Sequence, residues 1–421
     1  MSASASPVIL VVVRQHAEEA AILRGMRSVL TNAPHVKLHQ LRRLDDRLAA
    51  HLDGLAVAGV SGWRTCESAL ETPGVGELFV ATVRAIEDRN DAGLDKLLAV
   101  AEALAESQAG LISAMGWTSA SKLQGISSAQ LTHREPFRRR VGIATCALHR
   151  VDPGPALNAA IMSPNAALRA RALRCVGEIA RREMLSDCVE HLRDENRVCA
   201  FWAAWSSVLL GDRGLAVQLL RQVSLAADSG RERALELALM LLNNEDSHSL
   251  LRALAHNPAN DRAVIRGSGV TGNQVFVPWL ISQMRDDRFA RLAGEAFSRI
   301  AGADLALLDL ECKPPEGVET GPNDDPADPN VAMDEDDGLP WPDQGKVQGW
   351  WNANSHRFQP GVRYFMGEPL NRENCVRVLK EGYQRQRILA AHYLCLLNPG
   401  TPLFNTSAPA WRQQRLLAQM S

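Results

Sequence analysis

Helical periodicity that restarts at a near-constant interval predicts an all-α fold, with helix pairs stacked as an α-solenoid. Three observations carry the expectation. Apolar residues recur at i, i+3, i+4 and i+7 through most of the chain. Polar or glycine-bearing breaks cut that pattern into segments of helix length. Similar segments then follow one another at spacings of about 30 residues, one helix pair each.

The repeat is clearest between 165 and 194. Leu168, Ala172, Val176, Ile179 and Ala180 share one helical face, and Arg169, Arg171 and Arg174 turn away from it as a solvated face. Arg181-Arg182 breaks the pattern. Leu185, Cys188, Val189 and Leu192 make a second stripe, and Asp194-Glu195-Asn196 is a polar turn. The plan restarts at Arg197 with Val198, Trp202, Trp205 and Leu209, then breaks at Gly211-Asp212 before Leu215, Leu219 and Leu220. Related starts lie at Arg138, Arg231, Arg262 and Arg288. One pair cannot cover its own apolar face, so neighbours must stack, each fully buried Leu or Val contributing roughly 1.5–3 kcal/mol. Residues 131–310 are expected to form about six such repeats.

Residues 1–130 read as an N-terminal helical cap. Leu94, Leu97, Leu98, Ala101 and Leu104 form one stripe, and Phe79, Val83 and Ile86 another. Breaks fall at Asn32-Ala33-Pro34, at Pro73-Gly74 and between Thr118 and Ser128. The apolar run from Pro7 to Val13 is far below the roughly 20 residues of a bilayer span and reads as a short buried strand or helix start. Beyond the repeats, 311–346 is an acidic, Pro-rich loop, and 347–421 is an aromatic-rich insertion with a helix pair from Asn371 to Leu397.

The pattern NAALRARALRCVGEIARREMLSDCVEHLRD at 165–194 resembles HEAT-like repeats of the phycobilisome-lyase type. A second resemblance covers nearly the whole chain. QHAEEAAILR (15–24), LDDRLAAHLDGLAVAG (44–59), FWAAWSSVLLGDR (201–213), VPWLISQM (277–284), RLAGEAFSRIAGADL (291–305), LPWPD (339–343) and RYFMGEP (363–369) occur in this order. They are similar to an uncharacterised bacterial HEAT-repeat family often encoded beside type VI secretion genes. That resemblance implies a HEAT-like solenoid and a secretion-associated role, and no particular chemistry.

The residues themselves offer little chemistry. Gly267, Gly269 and Gly272 match G-x-G-x-x-G, but they lie between helical segments and mark close packing and a turn. In the acidic tract, counting from Asp334 puts Gly338 at position 5, and counting from Asp328 puts Met333 at position 6, so no EF-hand loop fits. His-Glu dipeptides, HExxH and GxSxG are absent, and Cys66 and Cys146 have no evident His partner. No two of the eight cysteines lie closer than eleven positions, which removes CxxC knuckles and favours reduced thiols in a cytoplasmic protein. Catalytic residues, cofactor and metal are all expected to be absent.

Charge is unevenly spread. The chain has 46 basic and 48 acidic side chains, 40 of the basic ones Arg, a net −2 that argues against nucleic acid as a partner. Residues 311–344 hold eleven acids and one Lys, leaving 45 basic against 37 acidic residues, about +8, elsewhere. Asp324, Asp325, Asp328, Asp334, Glu335, Asp336 and Asp337 therefore either attract an Arg-rich partner or fold over the chain's own arginines. Trp202, Trp205 and Trp279 read as core. Trp341, Trp350 and Trp351, outside the repeats, read as a plug or as partner anchors, with Arg357, Arg363 and Tyr364 as a polar rim. The expected function is a non-catalytic protein-interaction scaffold, a type VI secretion adaptor or chaperone for an effector or spike component. An immunity protein binding a toxin is the near alternative. A HEAT-like enzyme or DNA-binding protein is the alternative of another class.

Overall fold

The computed structural model describes residues 8–226, 230–318 and 334–420. Among them the chain is all-α, with twenty-two α-helices and one antiparallel hairpin of two short strands. No single helix there is long and apolar enough to cross a membrane. Contacts divide the chain into two compact units, one of residues 8–32, 36–184 and 402–420, the other of 33–35 and 185–401. This division differs from the four segments drawn above. The helices expected to form one array divide after Met184, and the tail 402–420 joins the N-terminal helices.

The first unit begins with α1 (Leu10–Leu30), α2 (Leu38–Val57), α3 (Val60–Ala69), α4 (Val75–Glu87) and α5 (Asp91–Ala103). It continues with α6 (Gln108–Trp117), α7 (Ile126–Leu131), α8 (Pro136–His149), α9 (Pro155–Ile161) and α10 (Ala166–Ile179). The second holds α11 (Leu185–Glu190), α12 (Arg197–Leu210), α13 (Leu215–Leu225), α14 (Arg231–Leu241), α15 (Asn244–Ala255) and α16 (Asp261–Val270). Next come α17 (Val277–Gln283), α18 (Ala290–Ala301), α19 (Gln344–Asn354), the strands β1 (Tyr364–Phe365) and β2 (Glu368–Pro369), α20 (Arg372–Glu381) and α21 (Gln384–Leu397). Helix α22 (Ala410–Leu417) returns to the first unit.

Helix ends follow capping chemistry. The Asn165 side chain accepts from the Leu168 amide at 3.0 Å and starts α10, which stops where Ala180 turns left-handed at φ 59°. Asn196 accepts from the amides of Val198 and Cys199 to start α12, and Gly211, at φ 115°, ends it. Of the run expected at Pro7 to Val13, Pro7 lies outside the described residues and α1 starts at Leu10, yet Val8 to Val12 stay exposed and burial begins at Val13.

In the first unit the tail is tied by arginines to main-chain carbonyls. Arg27 donates to Ser407 and Ala408 O, both at 2.9 Å, and to Asp45, which also accepts from the Ala410 amide at 2.7 Å. Arg412 donates to Gly116 O and Thr118 O at the end of α6, beside a Trp117–Trp411 edge contact with centroids 4.7 Å apart. Deeper in the unit, Arg171 and Arg174 each reach the buried Glu178 at 2.9 Å. They are not the solvated face expected of them, because the intact carboxylate of Glu178 has to be neutralised where it lies.

In the second unit, helices two apart in the chain lie side by side: α12 with α14, α14 with α16, α16 with α18. The intervening α13, α15 and α17 pack against these neighbours. The glycine motif serves this packing. A Cβ on Gly269 would stand 2.7 Å from Ala296 Cα, and Gly272 takes φ 66° against the Tyr364 carbonyl.

Burial alone would raise the Glu178 carboxyl, but Arg171, Arg174 and Arg150 outweigh it and hold it at about 2, below its ordinary 4.5. A group depressed on folding stabilises above its unfolded value and loses that contribution as pH falls towards the folded value. Between pH 4.5 and 2 the stability advantage of wild type over Glu178→Gln should therefore shrink by about 3 kcal/mol, read from urea denaturation at successive pH values.

Candidate functional site

The aromatic insertion is mostly core. Trp350 and Trp351 meet Phe297 of α18 edge-on, with centroids 5.7 and 6.4 Å away, and Trp351 continues into Phe358 and Tyr364. Trp351 is 7% exposed, Trp341 8% and Tyr364 4%, so these three rings present no surface for a partner. Trp350 is half-buried and Arg357 exposed. Arg363 donates to the carbonyls of Met240 and Leu242, the latter at 2.7 Å, at the end of α14. The backbone beside it acts likewise. Tyr364 N donates to Gly272 O, Met366 N to Arg299 O and Gly367 N to Ile300 O, reaching the ends of α16 and α18.

Of the four acidic residues that can be placed, three pair with the chain's own arginines. Asp334 pairs with Arg291 at 2.7 Å, the buried Asp336 with Arg262 at 2.6 Å, and Glu335 with Arg262 at 3.0 Å. Asp337 is exposed. Burial raises Asp334, but hydrogen bonding and charge from Arg291 prevail and hold it below its ordinary value. The Arg291 guanidinium also lies 4.7 Å over the Trp341 ring. Asp324, Asp325 and Asp328 lie outside the described residues.

Cys66 and Cys146 are not poised as nucleophiles. Burial pushes Cys66 up to about 12 and Cys146 to about 11, so both stay protonated at neutral pH. No group of three or more His, Cys, Asp or Glu suited to a metal ion occurs among the described residues.

A concave site does occur, at a place the sequence reading assigned to core. Helices α12, α13 and α14 enclose a cavity of about 660 Å³. Val198, Phe201, Trp202, Leu219 and Val223 line it, with Arg197, Arg233 and Gln222 among its polar lining. Phe201 and Trp202 stand 4.8 Å apart, and Trp202 meets the buried Trp205 edge-on at 5.4 Å. Trp205 is core as expected. Trp202 is half-buried, and Trp279 of α17 is 37% exposed. Periodicity assigns no outward face in either helix, in α12 because it is apolar around most of its circumference and in α17 because it is only seven residues long. A second, larger hollow of about 840 Å³ follows α20, but its wall alternates Glu368, Glu373 and Glu381 with Arg372, Arg377 and Lys380.

In comparisons with protein families, curated proteins and solved structures, nothing matches the chain.

The burial of the insertion separates its aromatic residues in a measurable way. Trp351→Ala should cost about 3–5 kcal/mol in denaturant unfolding, the range for truncating a buried aromatic. Arg357→Ala should stay within about 0.5 kcal/mol of wild type.

Proposed function

We propose that the chain is a non-catalytic, HEAT-like scaffold that recognises a protein, serving type VI secretion in the cytoplasm as an adaptor or chaperone for an effector or spike component. The observation that carries the recognition role is the cavity on α12–α14. It is concave, floored by two aromatic rings and branched apolar side chains, and edged by arginine, the composition in which binding energy concentrates at protein interfaces. The secretion context rests on the ordered run of resembling segments, from QHAEEAAILR to RYFMGEP. The buried insertion supports a scaffold in another way. By capping the ends of α14, α16 and α18 it holds these helices as a fixed platform.

The test is affinity purification of the tagged protein from its own host, in parallel with Trp202→Ala and Val198→Glu. Wild type should recover a secretion component in near-stoichiometric yield. Each variant should lose it at least tenfold with a melting temperature within a few degrees of wild type. Recovery of no such component, or recovery indifferent to both substitutions, would sink the proposal.

A further inference from the structure

We propose that His16 and His51 form a chelating site for one divalent ion of the imidazole-preferring class, zinc or copper(II), which clamps α1 to α2. The two rings come from different helices, 35 positions apart in sequence, and bring Nδ1 to Nδ1 at 3.1 Å. Their planes stand at 69° with centroids 5.2 Å apart, so the rings are not stacked. Zinc holds an imidazole nitrogen at roughly 2.0–2.1 Å, so two such nitrogens stand about 2.8–3.4 Å apart at angles between roughly 90° and 110°. The observed spacing falls inside that window. Without a metal the pair shares one proton, one Nδ1 donating and the other accepting.

The surroundings hold this geometry. Gly54, three positions after His51 on α2, has no side chain where the His16 ring lies, and a Cβ there would stand 2.7 Å from that ring. Helix α2 thus supplies one ligand and the space that seats the other. Both imidazoles are half-buried, so packing fixes them while solvent reaches the remaining coordination positions. Two protein ligands leave those positions to water, which makes the site an open one. A metal needs its imidazoles neutral. Burial, then His16 and Arg47, hold His51 below its ordinary value against the pull of Glu19, so His51 is neutral at physiological pH. The Glu19 carboxylate, one turn on from His16, also adds negative charge near the ion. An imidazole pair selects zinc or copper(II) over magnesium and calcium, which take oxygen ligands. Both helices lie in the first unit, so nothing here depends on partner recognition at α12–α14.

The test is calorimetric titration of the untagged, metal-stripped full chain with zinc chloride, beside melting curves with and without the metal. Wild type should bind one ion per chain with a micromolar dissociation constant, and its melting temperature should rise with zinc. Millimolar magnesium should not compete. His16→Gln and His51→Gln should each abolish both the saturation and the rise, with circular dichroism in the absence of metal matching wild type. Gly54→Ala keeps both ligands but displaces the His16 ring, so its affinity should fall by roughly tenfold or more. With copper(II), the electron paramagnetic resonance spectrum should show coupling to two nitrogens in wild type and to fewer in either histidine variant. No saturable site below about 1 mM zinc would reduce the pair to a hydrogen bond and overturn the inference. Saturation that survives in both histidine variants, or affinity indifferent to Gly54→Ala, would overturn it as well.

Discussion

Arginine donating to main-chain carbonyls at helix ends is the interaction on which much of this structure depends. The last turn of every helix leaves carbonyls without an intrahelical partner, and short helices have proportionally more of them. Here Arg412 serves the end of α6 in the first unit. In the second, Arg363 serves α14, Arg213 serves both α12 through Val208 O and α21 through Leu396 O, and the buried Arg387 serves α20 through Leu379 O. A hydrogen bond to a charged donor contributes roughly 1.5–3 kcal/mol, and an orphaned buried carbonyl costs roughly 1–3. Lysine could supply the charge but not the planar fork that takes two carbonyls at once. The preponderance of Arg over Lys thus has a structural use, beyond solvation of helix faces.

The insertion after α18 extends the same principle from side chains to backbone. Its hairpin lays the amides of Tyr364, Met366 and Gly367 on carbonyls that α16 and α18 leave open, while its rings fill the apolar side of α18. The two contributions reinforce each other. The aromatic packing fixes the hairpin where its amides can donate, and those amides remove the desolvation cost of burying helix ends next to the rings. Gly272 is required at this junction because the approaching Tyr364 carbonyl lies where a Cβ would stand.

Helix existence and helix ends were legible because local chemistry decides them. Asn165, Asn196 and Asn371 accept from amides two or three residues ahead, and the apolar stripes of α4 and α5 are buried as their spacing requires. What a stripe faces was not legible when a helix is apolar nearly all round. Trp202 and Trp205 are three residues apart on α12, share a flank, and differ only in what lies opposite. Charged residues were misread for the related reason that the burial of a partner, even one on the same helix, decides their environment. Arg171 and Arg174 turn away from the Leu168 stripe, yet they close on Glu178, whose burial no periodicity records. The return of 402–420 to the first unit rests on contacts more than 250 residues apart in sequence, between Arg150 and Leu403 and between Leu148 and Asn405.

Charge is best understood as local pairing, not as a net value. Arg262 and Arg291 enter any sequence count as part of a basic excess, but Asp334, Glu335 and Asp336 neutralise them inside the second unit. Glu295 does the same for Arg299 and Arg385, and burial is outweighed there, so its carboxyl stays below its ordinary value. Each such pairing removes a cation from the surface that an anionic polymer would need. Arg233 differs in having an aromatic ring beneath it, no ion pair among the described residues and an apolar cavity alongside. Much of the arginine-rich composition is therefore spent on the fold, in ion pairs with buried carboxylates and in hydrogen bonds to helix-end carbonyls.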